Sequence, residues 1–216
     1  MNIGILGTGM VGVALATKLI SLNHKVKMGS RTAANEKAAT WVQKNGANAS
    51  QGSFTEAAKF GEIIINCTKG EISLDALKMA GAENLKGKIL IDVSNPLDFS
   101  KGMPPTLTVC NTDSIGEQIQ KNYPDAKVVK TFNTMNCLIM VNPRMLSGTH
   151  LIFQCGNDSG AKDKVRELLK SFGWKDDEIF DLGDITASRG MEMVLPLWLR
   201  IMGSMKSGSF NFNIVK

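Results

Sequence analysis

NIGILGTGMVGVALATKLISLNH, residues 2–24, opens on a short apolar run that a glycine stops, and then changes rhythm. Past the glycines, Val11, Leu15, Leu19 and Leu22 recur at helical spacing. Strand, tight turn and helix therefore follow directly on one another. Gly7, Gly9 and Gly12 fill a G-x-G-x-x-G pattern at the junction, with Thr8, Met10 and Val11 between them. In such a turn the first glycine bends the chain, the second lets backbone amides approach a pyrophosphate, and the third lets helix and strand pack closely. The helix start adds unpaired N–H groups and a positive dipole end. Dinucleotide binding is the expectation.

The next strand sharpens it. KVKMGSRT, residues 25–32, ends where an NAD-binding chain usually carries Asp or Glu for the ribose 2′-hydroxyl. Here Arg31 stands between Ser30 and Thr32. An acid would repel a 2′-phosphate, whereas Arg31 can pair with it and the two hydroxyls can donate to it. The expected cofactor is NADP, with Thr8 and Lys37 as further phosphate contacts.

The same alternation continues along the chain. Residues 33–44 read as a helix, and 62–68 and 87–96 are near-continuous apolar runs, as expected of parallel strands covered on both faces. Strands follow at 126–133, 150–156 and 178–183, with a helix at 161–172. Short loops between them predict an α/β fold with a doubly wound, mostly parallel sheet, a Rossmann NAD(P)-binding fold with a C-terminal helix. That helix, within 185–205, is Met-rich and expected to bend at Pro196, and a strand-like tail, residues 211–216, closes the chain. Residues 1–216 are expected to form one NADP-binding domain. Residues 185–216 would pack on it as an acceptor site or dimer contact.

Composition narrows the function. The 216 residues are 43% hydrophobic, enough for one domain on the usual scale of about 100–200 residues. A net charge of +5 favours anionic ligands, but the basic residues are scattered and no nucleic-acid partner is expected. The apolar stretch at 191–202 holds Glu192, Pro196 and Arg200 and is too short to span a bilayer. An apolar strand begins at once after Met1, which predicts a cytoplasmic protein without a leader. Cys67, Cys110, Cys137 and Cys155 lack C-x-x-C spacing and a nearby His pair, so no metal site is expected.

Ligands of open α/β sheets sit outside the carboxyl ends of the strands. The polar residues closing the later runs are therefore candidates for the nicotinamide end: Cys67, Thr68 and Lys69, then Asn95 and Pro96, then Asn133, Thr134 and Met135. Hydride transfer asks little of side chains beyond positioning, since the cofactor carries the chemistry. No catalytic side chain is assigned, and His24 and His150 are read as structural.

GILGTGMVG, GSRT, GKILIDVSNP, VVKTFN and SRGMEMVLPLWLRIM, in that order, carry a resemblance that covers nearly the whole chain. The sequence resembles the NADP oxidoreductases dependent on the deazaflavin coenzyme F420, and is similar to the cytoplasmic NADPH-binding domain of the STEAP metalloreductases. The resemblance implies a hydride transfer between NADP(H) and a flavin-like ring, in an enzyme that is often a homodimer. It places Thr8, Ser30 and Arg31 at the 2′-phosphate, and Thr68, Asn95–Pro96 and Asn133–Thr134 near the nicotinamide. KTFNTMNCLIM, residues 130–140, is closer in wording to the metalloreductases, so F420, FMN and FAD all stand as acceptors. Arg189 and Glu192, three residues apart on the last helix, either hold an acceptor or pair with each other on the surface. Two other functions stay open: reduction of a small imine or keto substrate, and a non-catalytic NADPH-binding sensor.

Overall fold

The computed structural model describes residues 1–215. β1 (Asn2–Leu6) leads into α1 (Met10–Ser21), β2 (Lys25–Ser30), α2 (Glu36–Asn45), β3 (Ala49–Ser53), α3 (Phe54–Phe60), β4 (Ile63–Asn66), α4 (Gly70–Ala80), α5 (Ala82–Leu85) and β5 (Ile89–Asp92). A small hairpin, β6 (Leu97–Asp98) and β7 (Thr106–Leu107), precedes α6 (Ile115–Asn122), β8 (Lys127–Thr131) and α7 (Cys137–Val141). β9 (Ile152–Cys155), α8 (Ser159–Phe172), β10 (Ile179–Asp181) and α9 (Ser188–Met205) complete the order.

Eight strands form one sheet in the order β10-β9-β8-β5-β4-β1-β2-β3. The six from β8 to β3 run parallel, and β9 is antiparallel to β8 with β10 parallel to β9. The sheet is doubly wound about β1, with β2 and β3 on one side and β4 onward on the other. Two apolar cores explain why the strands read as continuous runs. Ile3, Ile5, Ile63, Ile65, Ile91 and Val129 face α1 and α8 on one side. Leu6, Ile64, Leu90 and Val128 face α3, α4 and α6 on the other.

Several boundaries differ from the sequence reading, each for a local reason. α2 starts at Glu36 because the Asn35 side chain accepts from the Ala38 N–H and caps it there. β3, absent from the pattern, is a short polar edge strand pairing only with β2. α9 starts at Ser188 rather than near residue 185, because Ile185–Ala187 form a separate turn capped by the Asp184 side chain. The tail is not a strand: the Phe212 carbonyl accepts from the Leu151 N–H at 2.9 Å, and Asn211 Nδ2 donates to the Leu151 carbonyl at 2.8 Å. Lys216, the last residue of the expected tail, lies outside the described residues.

α3 lies directly on β1 because Gly4 has no side chain: a Cβ there would overlap the Ala57 carbonyl oxygen. Gly4→Ala should therefore destabilise the protein by about 1–3 kcal/mol through overpacking, read as a lower urea midpoint at unchanged m-value. An unchanged midpoint would show that α3 can retreat at no cost.

Candidate functional site

The three glycines of the turn meet three different constraints. Gly7 has φ of +119°, and a Cβ there would crowd the Cys67 carbonyl. A Cβ at Gly12 would overlap the Gly7 carbonyl oxygen, so only glycine lets α1 start this close to β1. A Cβ at Gly9 would meet nothing within 4 Å: its restriction comes from no protein atom and leaves room for a ligand backbone. No side chain caps the start of α1, so its first amides stay available for an anion.

Beside this turn, Thr8, Gly9, Met10 and Val13 form a groove of about 440 Å³ with Lys37, Thr40, Trp41 and Lys44 of α2. At the end of β2, Arg31 is exposed and makes no ion pair with any described residue. Thr32 is exposed, whereas Ser30 is buried and its hydroxyl donates to the Thr32 carbonyl at 2.5 Å. That bond curls residues 30–32 and leaves the Ser30 oxygen as an acceptor. A free cation, two lysines and open amides on one face suit a phosphorylated ligand.

The candidates after β4, β5 and β8 gather at the neighbouring carboxyl edges. Thr68 is buried, its hydroxyl donating to Asn66 Oδ1 at 2.6 Å, while Lys69 is exposed and pairs with Glu71 at 3.7 Å. Burial raises the Cys67 thiol well above its ordinary range, with the Asp92 charge adding to the effect, so it is no nucleophile. Asn95 and Asn133 are joined twice: Asn95 Nδ2 donates to the Asn133 carbonyl and Asn133 Nδ2 to Asn95 Oδ1, both at 2.9 Å. Asn133 follows Phe132, whose φ of +69° turns the chain sharply at the end of β8. Its ring is buried and stacked on Phe172 at 5.9 Å, which supports that costly conformation. Pro96 follows Asn95 into the hairpin, and Thr134 and Met135 are buried beside Asn133. Thr134 does not cap α7, since Asn136 does so through the Leu138 N–H.

Behind these loops lies a buried charge cluster that the sequence reading missed. Lys130 Nζ lies 2.6 Å from Asp92 Oδ2, 2.8 Å from Glu192 Oε1 and 2.5 Å from the Ser94 carbonyl, all three donors engaged. Glu192 also accepts the Ile115 N–H at 2.9 Å and the Gly116 N–H at 3.1 Å. Asp92 Oδ1 accepts from Asn66 Nδ2 and from the Ser94 hydroxyl, each at 2.8 Å. Burial acts against charge on Lys130, but the Asp92 and Glu192 carboxylates outweigh it and hold the ammonium above its usual range. Burial pushes Glu192 upward despite Lys130. The available signal was a lysine and an aspartate inside apolar strand runs.

The expected surface pairing of Arg189 with Glu192 is therefore corrected. Glu192 is buried on Lys130, and Arg189 instead grips Glu117 of α6, with Nε–Oε2 at 2.8 Å and Nη2–Oε1 at 2.5 Å. Spacing of three brings two residues near one face, but the packed α6 and β8 supply better partners. His150 sits at the start of β9, which the antiparallel pairing brings to the same edge as Asn133. It is held between the Pro143 carbonyl and Asn211, against the Trp174 ring. Among the described residues no His/Cys/Asp/Glu group could hold a metal ion and no helix is long and apolar enough to cross a membrane.

Comparison with known proteins agrees with this geometry. The family described as "NADP oxidoreductase coenzyme F420-dependent" matches residues 2–96. The F420-dependent NADP reductase of Methanocaldococcus jannaschii is 31% identical over 216 residues, covering 96% of this chain and 95% of that protein. The metalloreductase STEAP3 of Rattus norvegicus is 29% identical over 91% of this chain, which spans only 38% of that larger protein. A crystal structure of a protein assigned as an F420-dependent NADP reductase, from Arthrobacter sp. FB24, has 47% identity, complete coverage of both chains and a TM-score of 0.94. A reductive aminase from Aspergillus terreus in complex with NADPH, 19% identical at TM-score 0.68 over 95% of this chain and 62% of its own, shares the fold.

Lys130→Met leaves Asp92 and Glu192 as buried carboxylates without a counter-charge and should cost about 3–5 kcal/mol. Lys130→Met combined with Asp92→Asn and Glu192→Gln should recover most of that loss. Urea unfolding of both proteins decides it: equal losses would mean that charge is not what the cluster balances.

Proposed function

The chain belongs to the family of coenzyme F420-dependent NADP oxidoreductases, and from that premise we propose that it transfers a hydride between NADP(H) and a flavin-type ring, with F420 as the leading acceptor. The chain is an NADP-dependent oxidoreductase; the acceptor and the residue roles are our assignment. The observation that carries the cofactor half is the cradle at Gly9, open where a Cβ would project, beside the unpaired Arg31. Gly7, Thr8, Gly9, Met10, Val11 and Gly12 would hold the pyrophosphate on the start of α1. Arg31, with Thr32, the Ser30 oxygen and Lys37, would take the 2′-phosphate. The nicotinamide would then lie over the carboxyl edges of β4, β5 and β8, against Cys67, Thr68, Lys69, Asn95, Pro96, Asn133, Thr134 and Met135.

Bound NADP(H) supplies the hydride, and the chain's own residues hold and orient it. We assign no acid or base at this edge: Lys69 pairs with Glu71 and His150 is held by the Pro143 carbonyl and Asn211, which suits transfer to a ring that stabilises the added electrons itself. Residues 1–216 would act as one domain, with 185–216 walling the acceptor or meeting a second copy. A match at 31% identity over nearly the whole length of an F420-dependent reductase favours F420 over FMN and FAD. The imine-reductase reading rests on fold alone, since those chains are only 19% identical to this one.

Arg31→Asp should reverse the preference for NADPH over NADH. Losing a charge-assisted pair worth about 1.5–3 kcal/mol lowers NADPH affinity roughly 10- to 100-fold. An unchanged preference would remove Arg31 from the site. The acceptor is tested by anaerobic NADPH oxidation with F420, FMN and FAD offered separately. Turnover with F420 alone is expected; turnover with FMN or FAD would make the protein a flavin reductase. Tight NADPH binding without turnover would point to a small substrate or a sensor.

A further inference from the structure

His150 is a buried titratable group that hydride transfer does not use, and its hydrogen bonds fix its protonation. The ring is 4% exposed, with Nε2 2.9 Å from the Pro143 carbonyl and Nδ1 2.9 Å from Asn211 Nδ2. A carbonyl only accepts, so Nε2 carries a hydrogen. Asn211 Nδ2 also lies 2.8 Å from the Leu151 carbonyl, which requires the amide nitrogen there and not its oxygen. The same NH₂ therefore donates to Nδ1, and Nδ1 is bare. The ring is neutral, and the tail after α9 is bonded to that form alone. A proton on Nδ1 would face the Asn211 NH₂, and rotating the amide to accept it would turn oxygen against the Leu151 carbonyl. Either way the tail loses a bond.

A third tether lies next door, where the Phe212 carbonyl accepts the Leu151 N–H at 2.9 Å. Between these tethers and α9, Phe210 stacks on Trp198 at 5.2 Å. A Cβ at Gly208 would meet Asn136 Nδ2 at 2.9 Å, so the tail lies on the residue that caps α7, next to Met135. The charged groups about the ring come from two other segments. Glu178, before β10, is buried and pairs with Arg144, which follows Pro143. Burial acts against charge on Glu178, but Arg144 and the Lys175 N–H outweigh it and hold the carboxyl below its ordinary range. Its Oε1 has no partner among the described residues, and its charge interacts with His150, so a protonated ring meets a counter-charge. Trp174, edge-on to the ring at 5.0 Å, is neutral, and residues 207–215 carry no titratable side chain.

We propose that residues 207–215 are a pH-sensitive strap: neutral His150 clasps it, and a proton on the ring releases it from Trp198 and Asn136, beside the candidate site. Histidine changes charge between about pH 5 and 8. The strap is closed above that change and opens as the pH falls through it. Nothing in this device depends on the cofactor or the acceptor.

The test is NMR on the whole protein without cofactor. At about pH 8 the ring ¹⁵N signals of His150 should show Nε2 protonated and Nδ1 bare, and the opposite tautomer overturns the clasp. On acidification to about pH 5.5 the Trp198 indole should shift with the midpoint of the His150 ring. Over the same range the protection of the Leu151 amide, corrected for intrinsic exchange, should fall about tenfold, the value of one neutral hydrogen bond. A ring that stays neutral throughout, or one that titrates while Trp198 and Leu151 protection stay unchanged, overturns the strap. His150→Asn keeps an acceptor near Nδ1 and does not titrate, so its tail should stay closed over the whole range. Persistence of the transition in that variant assigns it to another group and overturns the proposal. Asn211→Asp, on the tail itself, offers a carboxylate that accepts from the charged ring and repels the Leu151 carbonyl. Its tail should close in acid and open at high pH, and an unreversed dependence overturns the proposal as well.

Discussion

A protonated lysine with no exposure to solvent, Lys130, holds the functional half of this protein together. Removing a charge from water costs several kcal/mol, and only close, complete pairing returns it. Here each ammonium donor has its own oxygen, from β5, from the turn after it and from α9. Two carboxylates around one cation leave an excess negative charge, which the amides at the start of α6 and the Asn66 and Ser94 donors spread. A hydrophobic cluster could match its stability, but would tolerate sliding. An ion cluster with fixed donor directions has one register.

That register matters because the two halves of the sheet are built differently. Around β1 and β2 the ligand surface is backbone: a glycine turn, a helix start and a short exposed segment with Arg31. Its shape follows from covalent geometry and strand pairing, and needs no buried polar support. Beyond β4 the surface is made of side-chain amides and hydroxyls on turns after separate strands. Asn66, Thr68, Ser73, Asp92, Ser94, Lys130 and Glu192 form one connected chain of bonds behind those turns. Strand ends that would otherwise move independently share one polar scaffold.

The first half was legible in the sequence for that reason. Gly7, Gly9, Gly12 and the absence of an acid after β2 are local signals, and the structure packs Gly7 and Gly12 as their positions suggest and leaves Gly9 open. The sheet and most strands were equally legible, since residues such as Ile63–Ile65 are apolar on both faces. β3 was not, because an edge strand reading ASQGS carries no apolar run. The reversal of β9 was hidden as well, since periodicity gives a strand and not its direction. Lys130 and Glu192 are 62 residues apart in sequence, and their meeting depends on how α9 returns across the sheet. The spacing of Arg189 and Glu192 suggested a pair; tertiary partners on α6 and β8 divided them.

Hydride transfer rewards this kind of construction. A positioned hydride donor needs no proton relay, so a thiol such as Cys67, held by burial well above its ordinary range, can sit at the edge without interfering. The rate then depends on distance and angle between two rings, quantities that a loose loop degrades. Open backbone amides lie at one end of the candidate site, and the paired Asn95 and Asn133 carboxamides lie at the other. A ring bound between them would be constrained from both sides, with the buried lysine transmitting the rigidity of the sheet to the second.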